Sequence, residues 1–277
     1  MFYLAPSELW YFAIARLTVR FDDNKEEFGT GFFFDDGESY FVATARHVVD
    51  CRYRPPGKKR DATCAKIRLD FLLFGSDSAT IAAGNIELRF PVYTVDPEDN
   101  DCVVFAIPHA DLPVKTPNGE LKPYAFSKEF LADEAHLGSR HAGEPILFIG
   151  YPRNSPVKEY HAFNKSFTHV YPLLRQGVLA FPTTTPVRVD GFLGNNYGVI
   201  DSFAQNGFSG APVISLQKGL SDGSWNPVEY YRPPRVLGIV CGHYRSIDER
   251  ADGVHSGLSY FVRSNSIHKC LALLKNS

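Results

Sequence analysis

Short apolar runs of mostly five to ten residues recur along the chain, each bounded by polar, glycine-rich or proline-rich stretches. They read IARLTVRF, GTGFFF, YFVATARHVV, KIRLDFLLF, DCVVFAIP, PILFIGYP, GVLAF, APVISL, RVLGIVCG and LSYFVR. Their length and their wealth of β-branched and aromatic residues predict strands. Turn chemistry separates them, as at Asp35-Asp36-Gly37, Pro55-Pro56-Gly57 and Pro117-Asn118-Gly119. Strands at this spacing favour a sandwich or barrels over alternating strand–helix units. Three segments read as helical: Pro6 to Ile14, Ser127 to Leu137, and the C-terminal SIHKCLALLKN. In the last, Ile267, Leu271 and Leu274 make a stripe that can dock on a barrel. The stretch from Pro108 to Gly143 has the weakest strand signal, which places a boundary between residues 1–115 and 116–277.

Composition narrows the class. At 277 residues, with 44% hydrophobic and 22% charged, the chain can bury a substantial core. The net charge of -2 gives no bulk attraction to nucleic acid or to an anionic membrane. The most basic stretch, Arg52 to Arg60 (RYRPPGKKR), is interrupted by prolines and reads as a solvated loop before it reads as a nucleic-acid patch. Five scattered cysteines form no C-x-x-C pair, and Cys102 and Cys241 sit in apolar runs as small core residues. The N-terminus lacks a basic region before its apolar residues, and no stretch is long and uncharged enough to span a bilayer. A reducing, cytoplasmic setting is expected.

Three local motifs carry chemistry. His47 follows a strand in FVATARHVV, Asp101 heads the strand DCVVFAI, and Ser209 sits in NGFSGAPV just before another strand. Serine acyl transfer needs a base for the hydroxyl proton, a carboxylate to orient that base, and donors for the oxyanion. Each motif alone is weak. A lone histidine after a strand is more often structural, and Asp96 and Asp99 compete with Asp101, which alone abuts the apolar strand. The order His, Asp, Ser is wrong for an α/β-hydrolase. The remaining histidines show no metal-ligand spacing, so zinc is not expected.

Taken together, the motifs resemble the trypsin-like serine peptidases, and most closely the disulfide-free HtrA/DegP-type branch. Gly29-Thr30-Gly31-Phe32, Thr44-Ala45-Arg46-His47-Val48, Asp101-Cys102-Val103-Val104-Phe105 and Gly207-Phe208-Ser209-Gly210-Ala211-Pro212 match that family's successive motifs. Ile149-Gly150-Tyr151-Pro152, Gln176-Gly177-Val178 and the strand at Val236 to Val240 echo the stretches between and after them. The resemblance implies an all-β fold of two antiparallel six-stranded β-barrels with a C-terminal helix. It implies a triad of His47, Asp101 and Ser209 with Ser209 as nucleophile, and an oxyanion hole from the N–H groups of Gly207 and Ser209. No cofactor is implied, and the partner is a protein or peptide substrate.

The departures from the family are informative. Secreted trypsin-like zymogens pair a new N-terminal amine with an aspartate just before the serine; here that position is Phe208, so activation by N-terminal cleavage is not expected. By the same resemblance Phe203 falls at the base of the substrate pocket, and Cys241, Gly242 and His243 on its wall. Those residues imply small or medium uncharged P1 side chains. No PDZ-like domain is expected after the last strand, which leaves regulation to loop ordering or to a partner protein. The rival reading is a pseudo-protease, a silent binding module; an esterase on the same triad is a second. A viral 3C-type cysteine protease is disfavoured by the serine at the nucleophile position.

Overall fold

The computed structural model describes residues 9–54, 59–75, 81–89, 91–107, 112, 114–116, 119–153, 155, 157–162, 165–189, 193–218, 232–245 and 255–276. The expected helix start at Pro6 and the turn prolines Pro55, Pro56 and Pro117 lie outside these residues.

The first half of the chain builds one sheet. Its strands are β1 (Ile14–Phe21), β2 (Glu26–Asp35), β3 (Tyr40–Thr44), β4 (Cys64–Gly75), β5 (Ile81–Arg89), β6 (Thr94–Val95), β7 (Val103–Ile107), β8 (Val114–Thr116), β9 (Gly119–Lys122) and β10 (Phe126–Ser127). These form a ten-stranded sheet with the path β6-β7-β3-β2-β1-β4-β9-β8, β5 pairing with β4 and β10 with β2 beside it, more strands than the six expected there. The second half supplies β11 (Pro145–Gly150), a separate hairpin of β12 (Val157–Ala162) and β13 (Lys165–Val170), then β14 (Leu173–Leu179), β15 (Tyr197–Asp201), β16 (Pro212–Ser215), β17 (Arg235–Arg245) and β18 (His255–Arg263). Six of these close into a barrel, β11-β14-β15-β18-β17-β16.

Strands β8, β9 and β10 all pair into the first sheet. They are short and polar, as in VKT and GELK, and carry little of the alternation that marks a strand in a sequence. The helix expected at Ser127–Leu137 is broken for a tertiary reason. Ala132 N–H donates to the carbonyl of Val236 on β17 at 2.9 Å, which holds this part of the chain extended. A single 3₁₀ turn precedes the break, and the short helix α2 (Glu134–Gly138) follows it, capped by Asp133 accepting from His136 N–H. Helix α1 is the single turn Arg46–Val49 after β3. At the N-terminal side only a 3₁₀ turn at Trp10–Ala13 precedes β1.

The expected C-terminal helix is present as α3 (Asn265–Lys275). Ile267, Cys270 and Leu271 are buried, and α3 packs against β7, with Cys270 Sγ directed at the Cys102 carbonyl at 3.8 Å. One buried apolar cluster joins the sheet, the barrel and α3, so the two halves meet over a shared core. A second cluster, including Phe148, Phe208, Leu237 and Phe261, fills the barrel. All five cysteines are free and buried. Among the described residues no helix is long and apolar enough to cross a membrane.

Candidate active site

His47 sits on α1, whose Val48 and Val49 anchor it in the core while the imidazole stays 18% exposed. Asp101 comes from a loop closed on itself before β7. Asp96 accepts from Glu98 N–H at 2.7 Å and from the Asn100 amide at 3.2 Å, and Asp99 takes a left-handed φ of 55°. Asp99 turns away to pair with Arg46 at 2.9 Å. The two competing aspartates thus shape the loop, and Asp101 alone reaches the histidine.

The carboxylate of Asp101 is fully buried and both its oxygens address residue 47. Oδ2 lies 2.6 Å from His47 Nδ1, and Oδ1 accepts from the His47 backbone N–H at 2.8 Å. A proton on Nδ1 is what that first bond requires, which leaves the lone pair on Nε2. Nε2 lies 2.9 Å from Ser209 Oγ, in reach of its proton. The structure therefore brings together the three side chains the motifs singled out. Distances and tautomer logic agree with a base poised over a hydroxyl.

The loop that carries Ser209 is held from two sides. From the first sheet, Thr30 N–H donates to the Ser209 carbonyl at 2.8 Å and Thr30 Oγ1 to the Gly207 carbonyl at 2.8 Å. Thr30 Oγ1 also accepts from Tyr151 N–H at 2.9 Å, so one hydroxyl joins both halves of the molecule. From the barrel, Phe208 is wholly buried and meets Phe148 edge-on with ring centroids 5.0 Å apart. Phe208, the residue before Ser209, is thus an apolar anchor.

Gly207 has φ 101°, and a Cβ there would lie 2.4 Å from the Tyr151 carbonyl. The preceding carbonyl, of Asn206, accepts from Arg153 N–H at 2.9 Å. Because the C=O and N–H of a trans peptide point in opposite directions, this bond turns the Gly207 N–H the other way. Among the described residues neither Gly207 N–H nor Ser209 N–H has an acceptor. Both donors remain available to an oxyanion.

The expected substrate-pocket residues are dispersed in character. Phe203 is 47% exposed. Cys241 is buried, with its sulfur 3.7 Å from the Asp101 carbonyl. Gly242 lies against Tyr260, whose hydroxyl would be 2.5 Å from an added Cβ, and His243 is partly buried. Tyr197 is a residue that no motif flagged. Its hydroxyl accepts from Asp101 N–H at 3.1 Å and sits 3.4 Å from the Tyr53 hydroxyl. Burial, then the nearby Asp101 charge, push both phenols well above the usual tyrosine range, so they stay neutral. Among the described residues no cluster of three His, Cys, Asp or Glu could hold a metal.

A family model described as a trypsin-like peptidase domain matches residues 29–220. No curated protein matches the chain. Among solved structures, the serine endoprotease from Yersinia pestis matches with a TM-score of 0.51 and 13% identity, covering 100% of this chain and 69% of that one. The HtrA-type protease AlgW with a decapeptide matches at 0.50 and 12%, covering 96% of this chain and 65% of that one. A collagenase, titled HL collagenase, matches at 0.50 and 13%, covering 96% and 94%. The chain thus spans about two-thirds of the first two and nearly all of the third. At such identities the likeness is one of fold.

Proposed function

The chain belongs to the family of trypsin-like serine endopeptidases, and we propose that it hydrolyses peptide bonds through an acyl-enzyme on Ser209. The observation that carries the reading is the continuous chain of short contacts, Asp101 to His47 at 2.6 Å and His47 to Ser209 at 2.9 Å.

In the first half-reaction His47 Nε2 takes the Ser209 proton as Oγ attacks the substrate carbonyl carbon. The carbonyl oxygen becomes an oxyanion facing the N–H groups of Gly207 and Ser209, where each donor contributes roughly 3 to 4 kcal/mol. The imidazolium, stabilised by Asp101, then protonates the leaving amine as the C–N bond breaks. Water enters, loses a proton to Nε2 and attacks the acyl carbon. The serine leaves with that proton, and the peptide acid is released. No cofactor takes part.

At P1 the reading is an uncharged side chain of small or medium size.

Labelling with a fluorophosphonate probe tests the reading. Wild-type protein should label and Ser209→Ala should not, with turnover of a protein substrate lost in parallel. An absence of labelling under every condition would favour a silent binding module. Turnover of small esters with none of a folded or peptide substrate would favour an esterase.

A further inference from the structure

Arg52, Arg54 and Lys59, in the basic stretch after α1, have no part in the mechanism above, yet they line a cavity of about 410 Å³ together with Arg46, the chain neighbour of His47. Four cations face this cavity: Arg46, Arg52, Arg54 and Lys59. Among the described residues only two carboxylates do so, those of Asp50 and Asp99. Both are already engaged. Asp50 holds Arg46 at 3.3 Å and Arg52 at 3.1 Å, and Asp99 holds Arg46 at 2.9 Å. Arg54 pairs with Glu27, which lies outside the cavity wall, at 3.0 Å. Lys59 has no ion-pair partner among the described residues.

With Glu27 counted beside Asp50 and Asp99, the described groups leave a formal surplus of one positive charge, that of Lys59, at this concavity, in a chain whose net charge is -2. A recess walled by protein focuses such a surplus, and guanidinium groups match a carboxylate well. The cavity is tied to the catalytic base. Arg46 precedes His47 in the chain, and the Arg54 guanidinium donates to the His47 carbonyl at 3.1 Å. The Arg46 guanidinium carbon lies over the Tyr53 ring, 4.3 Å from its centre, and Leu193 adds a 74% exposed apolar edge.

We propose that this cavity is a subsite for an aspartate or glutamate side chain of the polypeptide being cleaved. The enzyme then prefers substrates with an acidic residue near the scissile bond. The proposal rests on the peptidase reading above. A side chain is favoured over a nucleic acid on three grounds. The recess, of about 410 Å³, has the volume of one or two side chains. Its wall carries two carboxylates that would repel a phosphate chain. The chain as a whole offers no positive field of the kind a polyanion requires.

The test is a fluorogenic peptide series, alike except for Glu or Gln at each position from P4 to P4′, at low salt. At one position Glu should raise kcat/KM by roughly tenfold over Gln, and about 0.5 M salt should erase most of that gain. In Lys59→Gln and in Arg52→Gln/Lys59→Gln the Glu-to-Gln ratio should fall toward one. A ratio of one at every position in active wild-type enzyme overturns the proposal, as does a ratio undiminished in the double variant. If no peptide is turned over, the peptidase reading fails separately. Affinity of Ser209→Ala for the Glu and Gln peptides then decides the subsite, with equal affinity overturning it. Tighter binding of a single-stranded oligonucleotide than of any Glu peptide, lost in the double variant, overturns it in favour of nucleic acid.

Discussion

The hydroxyl of Tyr197, on the barrel strand β15, accepts a hydrogen bond from the main-chain N–H of Asp101, in the loop before β7 of the first sheet, at 3.1 Å. Asp101 is thereby held at both ends. Its carboxylate grips His47, and its backbone is fixed by a residue from the other half of the molecule. Tyr53, whose hydroxyl donates to the Asp99 carbonyl, braces the same loop from α1's side. Tyr197→Phe leaves a buried N–H unpaired, which should lower stability by about 1 to 3 kcal/mol. As a positioning residue it should also lower kcat, by roughly tenfold, with KM little changed. Thermal unfolding and steady-state kinetics on one variant measure both effects.

Asp101→Asn should keep the fold, because an amide fills the same volume. It presents an NH₂ group or a neutral oxygen to His47 and removes the charge that sets the tautomer. A loss of about 10⁴-fold in kcat is expected, the size of effect known for this type of triad. Kinetics beside a circular dichroism spectrum would show whether activity falls while structure stays.

Gly207 and Gly210 should respond differently to alanine. At Gly210, with φ 94°, a methyl would lie 1.7 Å from the Thr30 carbonyl, so Gly210→Ala should cost roughly 2 to 5 kcal/mol of stability. At Gly207 the strain turns the oxyanion donor aside, and kcat should drop roughly 10² to 10³-fold. Urea unfolding of the first variant and turnover by the second separate the two roles.

Phe208 substitutes apolar packing for a charge pair beneath the nucleophile loop. Phe208→Ala opens a cavity against Phe148 and should cost about 3 to 5 kcal/mol. The nucleophile loop should loosen with it. A melting temperature unchanged from wild type would show that the loop is held by other contacts.

Acid should loosen the docking of α3. His268 is largely removed from water, and that burial lowers its pKa below the usual histidine value. Its Nε2–H donates to the Ala132 carbonyl at 3.2 Å. The unfolded chain takes up a proton near pH 6.5 and the folded one only at lower pH, so the unfolded state binds more protons in between. Stability from this group is complete above about pH 6.5 and declines as pH falls below it. Unfolding curves at pH 7.5 and pH 5.5 should show a smaller difference in His268→Gln than in wild type.

Much of the site was legible because its chemistry lies in short, contiguous motifs. Strands β1, β3, β7, β11 and β16 coincide with apolar runs whose burial dictates their composition, and His47, Asp101 and Ser209 each flank such a run. Polar strands were not legible: β8, β9 and the β12–β13 hairpin pair through backbone groups that every residue possesses. The break of the expected helix at Ala132 was equally hidden, since its cause is a hydrogen bond to Val236, distant in the chain. Thr30 stood inside a recognised motif, but nothing local says that its hydroxyl reaches Gly207 and Tyr151.

By itself the sequence determined which residues are available for acyl transfer, the order in which they occur, and an all-β chain around them. It also determined that the position before the nucleophile is apolar, since Phe208 has no group with which to pair a charge. Only the tertiary structure decided that the first half makes a ten-stranded sheet, that Tyr197 braces Asp101 across the two halves, and that Arg52, Arg54 and Lys59 line one cavity with Arg46. The division has a physical cause. Burial and turn geometry act over a few neighbouring residues and leave a mark in composition, whereas a hydrogen bond or a charge pair between distant segments forms only after the fold has closed the space between them.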